Sequence, residues 1–312
     1  MSGPKERFMR RCRREPAVAL TLLILALPGT ALAAPGETGF AFLKLGVGAR
    51  AMGLGSAYVA LADDPTAIYW NPAGLAAISG TQVTAMHNEW IQDFRQEFVA
   101  VGGHLGPGAL GVGMSGFYSS EFERRDDTGV LTGHYGFNDI AVTGAYGARV
   151  YEGLDAGVAV RYIREMIDQW DATAVTGDVG ARYRLGETGV SFGAAVQNLG
   201  SDAKFISVTF PIPLTWRAGA AVSRQLPSLQ GRGTLTTEIR KARDDKTHVH
   251  AGAEYSYRDR LALRVGGKFG YDDESVSFGL GLVKDWIHFD YALVPLSSDL
   301  GTTHFFSLTG VF

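Results

Sequence analysis

Residues 260–294 read RLALRVGGKFGYDDESVSFGLGLVKDWIHFDYALV, and their alternation decides the fold. Leu261, Leu263, Val265, Gly267 and Phe269 share one parity; Arg260, Ala262, Arg264, Gly266 and Lys268 share the other. After a polar break the pattern returns, with Val276, Phe278, Leu280 and Leu282 against Ser275, Ser277, Gly279 and Gly281. It returns again with Ile287, Phe289, Tyr291 and Leu293 against His288, Asp290 and Ala292. Successive side chains of a strand point to opposite faces. Three consecutive strands therefore present one apolar face and one face that is small, polar or charged.

Working outward from this stretch, the same period predicts fourteen strands: 81–88, 95–104, 109–118, 137–149, 153–163, 173–185, 188–198, 213–223, 232–241, 247–257, 260–270, 275–283, 286–294 and 303–312. Most have the ~9–11 residues of a tilted transmembrane strand. The number is even, as in single-chain bacterial outer-membrane barrels. No stretch approaches the ~20 apolar residues of a membrane helix.

A soluble sandwich also alternates, and two features argue against it. The polar parity carries opposite charges expected to pair on neighbouring strands: Asp139 with Arg149, Asp155 with Arg161, Asp178 with Arg182, Glu238 with Arg240, and Glu254 with Arg264. Arg161, Asp178, Arg182, Glu238, Arg240, Glu254, Arg264 and Lys268 are thus expected to line a wet lumen. Connections also alternate in length. Short turns at 150–153, 186–187, around Asp259 and at 284–285 interleave with longer ones at 119–136, 164–172, 199–212 and 295–302. Short periplasmic turns and longer outer loops are the asymmetry of such barrels.

Both ends of the chain fit export to an outer membrane. Residues 1–33 read as a cleavable signal peptide. Six basic residues from Lys5 to Arg14 precede the apolar run Ala17–Leu27, which Pro28-Gly29 breaks ahead of Ala31-Leu32-Ala33. Its removal takes six of the 29 Lys and Arg and two of the 32 Asp and Glu, leaving a formal charge of −7. That balance does not favour nucleic acid. The only cysteine, Cys12, leaves with the signal, so the mature chain has no disulfide and no thiol nucleophile. At the other end Phe306, Leu308, Gly310 and Phe312 share one parity. A terminal aromatic residue on an alternating strand is the address read by the outer-membrane assembly machinery.

Residues 34–80 do not alternate. Asp64-Pro65 and Asn71-Pro72 place a capping side chain before a proline, the signature of a helix start. Short helices are expected around 47–52, 56–62 and 65–76, too short to fold alone in water. They need a wall to pack against, so the segment reads as an N-terminal helical plug inside the barrel. Asp64 is expected to cap its helix and Asp63 to be solvated or paired with a lumenal arginine; a gating pair is the alternative. Asn71 and Pro72 carry the same choice.

Residues 41–76, AFLKLGVGARAMGLGSAYVALADDPTAIYWNPAGLA, closely resemble the opening of the PorV/PorQ family, which is related to the FadL fatty-acid transporters. The specific parts are GARAMGLG, Ala62-Asp63-Asp64 and Asn71-Pro72-Ala73-Gly74; Val196–Gly200 and Pro213–Gly219 are also similar. The resemblance implies an all-β, fourteen-stranded antiparallel transmembrane barrel over 81–312 with a plug inside. It implies either a conduit or accessory of type IX secretion for hydrophobic or exported cargo, or a FadL-like channel for long-chain fatty acids and other hydrophobic compounds. The short loops depart from the long capture loops of FadL-type transporters.

Other motifs carry less. Gly111–Gly116 matches G-x-G-x-x-G but lies inside an expected strand, without the helix a dinucleotide needs. Its glycines read as thin places in the wall. His248, His250 and Glu254 share one face, but a metal needs a fuller donor set, and they read as polar lumen residues. Trp90, Trp170, Trp216, Trp286, Phe94, Tyr162, Tyr183, Tyr257, Tyr271 and Tyr291 fall near expected strand ends, where interfacial girdles lie. Trp286 takes the lumen parity. No Ser-His-Asp or Cys-His set is marked, so the reading is a monomeric non-enzyme without cofactor or metal, its partners being membrane lipid, the assembly machinery and a hydrophobic ligand or secreted cargo.

Overall fold

All fourteen expected strands form and close on themselves. The computed structural model describes residues 36–120, 122–297 and 300–312; the signal-peptide reading of 1–33 lies outside the described residues. The first strands are β1 (Thr81–Glu89), β2 (Arg95–Leu105), β3 (Gly108–Tyr118), β4 (Phe122–Arg125), β5 (Leu131–Tyr135) and β6 (Phe137–Tyr151). Next come β7 (Leu154–Ile167), β8 (Trp170–Arg184), β9 (Val190–Leu199), β10 (Ala203–Phe205), β11 (Val208–Phe210) and β12 (Thr215–Leu226). The last are β13 (Gly231–Ala242), β14 (Thr247–Tyr257), β15 (Leu261–Phe269), β16 (Val276–Lys284), β17 (Ile287–Pro295) and β18 (Thr302–Val311).

Fourteen of these form one closed antiparallel barrel; β4–β5 and β10–β11 are separate two-stranded hairpins. Closure joins β1 to β18 with Gln82 opposite Val311. Thr81 and Phe312 exchange both backbone hydrogen bonds, at 3.0 and 2.8 Å. A closed barrel leaves no unpaired edge, the condition for strands to cross lipid.

The barrel is inside-out relative to a soluble domain. Val99, Val112, Met114, Val160, Leu263 and Leu308 are exposed, whereas Asp155, Arg161, Asp178, Arg182, Arg217 and Glu238 are buried in the lumen. The apolar parity thus faces hydrocarbon and the polar parity faces inward, as a lipid-embedded barrel requires.

Three expectations about the barrel wall need correction. The connection 164–172 is mostly strand: β7 runs to Ile167 and β8 starts at Trp170, with Asp168 turning the chain at φ 58°. Ile167 pairs with Trp170, so cross-strand bonding extends the hairpin. The connections 119–136 and 199–212 likewise carry the hairpins β4–β5 and β10–β11.

The charge pairs are mostly different from those expected, with only Glu254–Arg264 forming as read, at 2.6 Å. Arg149 and Arg182 both hold Asp155, Arg161 holds Asp178, Arg217 holds Glu238, and Arg240 leans on Asp245. Residues two apart on one strand share a face, but the nearest charge lies across to the neighbouring strand, directly opposite or diagonal. Asp139 is opposite Glu165, and neither of its carboxylate oxygens has a partner among the described residues.

Part of the aromatic girdle is also misplaced. Trp286 lies in the turn after Asp285 (φ 54°), exposed and packed on Phe312 at 5.2 Å, rather than in the lumen. Trp90 and Tyr271 line a lumenal cavity. All three sit beyond strand ends, where the period of two no longer sets side-chain direction.

Inside the barrel, residues 36–80 fold into a 3-10 turn at Ala41–Lys44, helix α1 (Ala49–Gly53), helix α2 (Ala67–Trp70) and a 3-10 turn at Pro72–Ala77. The helix expected over 56–62 is absent. Gly55 and Ser56 both take φ 65°, and the Tyr58 and Val59 amides bond to Glu238 instead of to a helix. The helix expected over 65–76 breaks at Asn71, extended at φ −164°, because a residue before proline disfavours helical ψ. Val47, Met52, Leu54, Tyr58, Ile68, Trp70 and Leu75 pack against small wall residues such as Ala100, Ala145 and Ala159. Gly111 and Gly113 back directly onto Ile68: a Cβ there would lie 2.6 and 2.5 Å from its methyl carbons.

Candidate functional site

The candidate site is the seam between the N-terminal segment and the lumen wall. Irregular backbone at membrane depth must find internal partners, since lipid offers none. The wall supplies them. Glu238 accepts from the Tyr58 and Val59 amides, both at 2.9 Å. Ser307 accepts from the Ala49 amide at 2.8 Å, and Ser277 from the Gly55 amide at 3.1 Å. Arg182 donates to the Ala62 carbonyl at 2.7 Å, Thr236 to Ala57 at 3.0 Å and Ser191 to Ala60 at 3.1 Å. Gln197 donates to the Tyr69 carbonyl.

Asn71 is the internal rivet. It is fully buried; its Oδ1 accepts from the Ala73 amide at 3.2 Å, and its Nδ2 donates to the carbonyls of Val59 and Ala181 at 2.9 and 3.1 Å. One side chain thus caps a turn, crosses the segment and reaches β8. Asn71→Ala should cost about 2–4 kcal/mol, since three partners lose a buried hydrogen bond. The check is a lower urea midpoint in micelles, and an unchanged midpoint would refute the role. Pro72 lies against the wall where Gly157 leaves room for it.

The other expected site residues separate into groups. Asp64 accepts from the Tyr58 hydroxyl and the Thr66 amide, both at 2.8 Å, and so organises the turn entering α2. Asp63 pairs with Arg50 at 2.8 Å. Arg50 also reaches Glu254 at 3.2 Å, and Arg264 joins Glu254 to Asp290 at 2.6 Å on each side. A continuous ionic chain therefore links the plug to three wall strands. Arg161 and Asp178 (2.9 Å) lie elsewhere on the wall. They brace Asn198, which at φ 61° forms the bulge between β8 and β9. Lys268 pairs with Glu274 and Arg240 with Asp245, both toward the loop end. His248 turns to Asp245, His250 to the Tyr271 hydroxyl, and Glu254 lies between two arginines, so the three do not converge.

The sequence reading missed Arg50, Arg217 and Gln197. Arg217 and Thr215 sit at the inward parity of β12, and Arg217 is the residue directly opposite Arg240, which could have flagged it. Arg50 is the lone charge in an otherwise small and apolar run. Arg217 lies 4.8 Å over the Trp70 ring and holds Glu238 at 2.5 Å.

Two cavities flank the seam. One of about 490 Å³ opens at the end bearing Thr81 and Phe312, lined by Arg50, Asp63, Asp64, Arg182, His288 and Asp290. The other, about 190 Å³, lies toward the longer loops, with Trp70, Trp90, Arg217, Arg240, His250 and Lys268 in its wall. Over the loop end the N-terminal stretch is fastened by Thr38 and Lys44, which donate to Asp244 at 2.5 and 3.0 Å. Burial raises the Asp244 carboxyl, but Thr38 and Lys44 outweigh it and hold it below the ordinary range. This depressed group stabilises the fastening above the ordinary carboxylate range, and the effect is lost as pH falls through its lowered value.

A closed barrel with an apolar outer belt, a charged lumen and its own N-terminal segment inside is a plugged outer-membrane β-barrel. The chain belongs to the uncharacterised protein family UPF0164, whose model matches residues 26–212. Among solved structures it is similar to the Pseudomonas putida toluene transporter TodX, at 12% identity and TM-score 0.59, covering 85% of this chain and 96% of that one. It is also similar to the CymD monoaromatic hydrocarbon channel, at 12% and 0.59 over 86% and 98% of the two chains. A Pseudomonas aeruginosa FadL homologue gives 11% and 0.51 over 84% and 97%. At such identities the likeness is one of fold. No curated protein matches the sequence.

Proposed function

We propose that this barrel is a gated outer-membrane conduit and not an enzyme, with residues 34–80 as the gate. The observation that carries the reading is the pair of cavities on opposite sides of one tethered segment. Displacing that segment would join them into a path through the lumen. The ionic chain Asp63–Arg50–Glu254–Arg264–Asp290 is the bolt in this reading, because it crosses from plug to wall. The toluene transporter and the monoaromatic hydrocarbon channel that share the fold support small hydrophobic cargo. In this reading the chain is exported by its leader, assembled through Phe312 and monomeric in membrane lipid.

A second reading, a secretion accessory of the PorV/PorQ type, draws on the density of tethers. A segment bonded to so many wall strands suits a static plug in a barrel that works through its surface. Liposome swelling and fatty-acid uptake, with and without residues 36–80, separate the two. The conduit reading expects entry that rises when the segment is removed. No entry in either form would sink it and leave the accessory reading.

A further inference from the structure

We infer that the smaller, loop-side cavity is a binding site for a compact oxyanion, held on Arg240. Arg240 is 4% exposed and lines this cavity. Its Nη1 reaches the Tyr271 hydroxyl at 3.2 Å and Asp245 at 3.5 Å. Its Nε and Nη2 have no hydrogen-bond partner among the described residues. Buried charged donors left unmade are costly, and a fork of two guanidinium N–H groups matches an oxyanion better than any other ligand.

The lining carries more cations than acids, although Lys44 is held by Asp244 and Lys268 by Glu274. Lys44, Arg217, Arg240 and Lys268 line the cavity against the acids Asp245 and Glu274. Glu238, the partner of Arg217, is shared with two plug amides, so it neutralises that arginine incompletely. Tyr271 holds the geometry: it stacks on His248 at 3.8 Å and bonds both His250 (2.9 Å) and Arg240. Trp70, Trp90 and Phe305 supply an apolar side. The volume of about 190 Å³ lies below the roughly 300 Å³ at which sites for drug-sized ligands begin. The site therefore takes phosphate or a short carboxylate and excludes a long acyl chain. Binding here does not depend on passage through the barrel.

Trp70 and Trp90 line the cavity and report its occupancy. The mature protein in detergent micelles is titrated with inorganic phosphate, benzoate, laurate and neutral benzyl alcohol, reading tryptophan fluorescence. Phosphate, benzoate or both should saturate, and which of them does so separates inorganic from organic sources. Arg240→Gln should weaken that binding by about tenfold or more, since a charge-assisted pair is lost. Arg184→Gln, in the other cavity, should leave it unchanged. A heat-modifiable gel shift confirms that each variant is folded; if Arg240→Gln is not, Tyr271→Phe takes its place with the same expected weakening. The site is overturned if neither anion saturates up to about 50 mM. It is equally overturned if the folded variant binds as wild type, if benzyl alcohol binds as well as benzoate, or if laurate outcompetes both anions.

Discussion

Glu238→Ala should open the barrel and destabilise it together. The carboxylate is fully buried, holds Arg217 at 2.5 Å and accepts two plug amides at 2.9 Å. Removing it strands a buried guanidinium and two buried N–H groups. Breaking one side of a buried pair costs about 3–5 kcal/mol, read as a lower unfolding midpoint in micelles. Solute entry into liposomes should rise several-fold, because Tyr58 and Val59 no longer bond to the wall. Adding Arg217→Met separates the two effects. Replacing both members of a buried ion pair by apolar groups is often close to neutral, so the double variant should regain much of the stability. It should not regain the seal, since the two amides still lack an acceptor. Entry at the wild-type rate in both variants would refute Glu238 as an anchor.

Gly157→Val should strongly disrupt the wall. A Cβ at Gly157 would lie 2.5 Å from the Pro72 carbonyl oxygen and closer still to the Ala73 amide. Both are backbone atoms of the Asn71-Pro72 turn, which three Asn71 bonds hold in place, so neither can rotate aside as a side chain would. Overpacking commonly costs about 1–3 kcal/mol, and here the plug must shift or the strand must bow. The fraction of protein in the folded, heat-modifiable form should fall. Gly144 on the neighbouring strand is the control, because a Cβ there meets nothing within 4 Å. Gly144→Val should assemble normally; equal behaviour of the two variants would refute steric contact as the cause.

How much of this was legible without the structure differs by element. The strands were, because a barrel wall in lipid imposes a period of two on every crossing, and that period is written residue by residue from Thr81 to Phe312. That Arg161, Arg182, Glu238, Glu254 and Arg264 lie on the polar side of their strands followed from parity alone. Their partners did not. Whether Arg182 meets Asp178 or Asp155 depends on register and diagonal reach, which the sequence of one strand does not contain. The turn chemistry of Asn71-Pro72 was readable from residue type. The missing helix over 56–62 was not, since Glu238, 179 residues away from Val59, competes for its amides.

The membrane barrel with a non-alternating segment to fill it is therefore what the sequence by itself determined about this protein. Local periodicity and terminal composition are properties of neighbouring residues and survive without a fold. The seam, the ionic bolt from Arg50 to Asp290 and the anion-sized cavity around Arg240 were decided only by the tertiary structure. Each depends on side chains from distant strands arriving at one place, and only barrel closure and register bring them together.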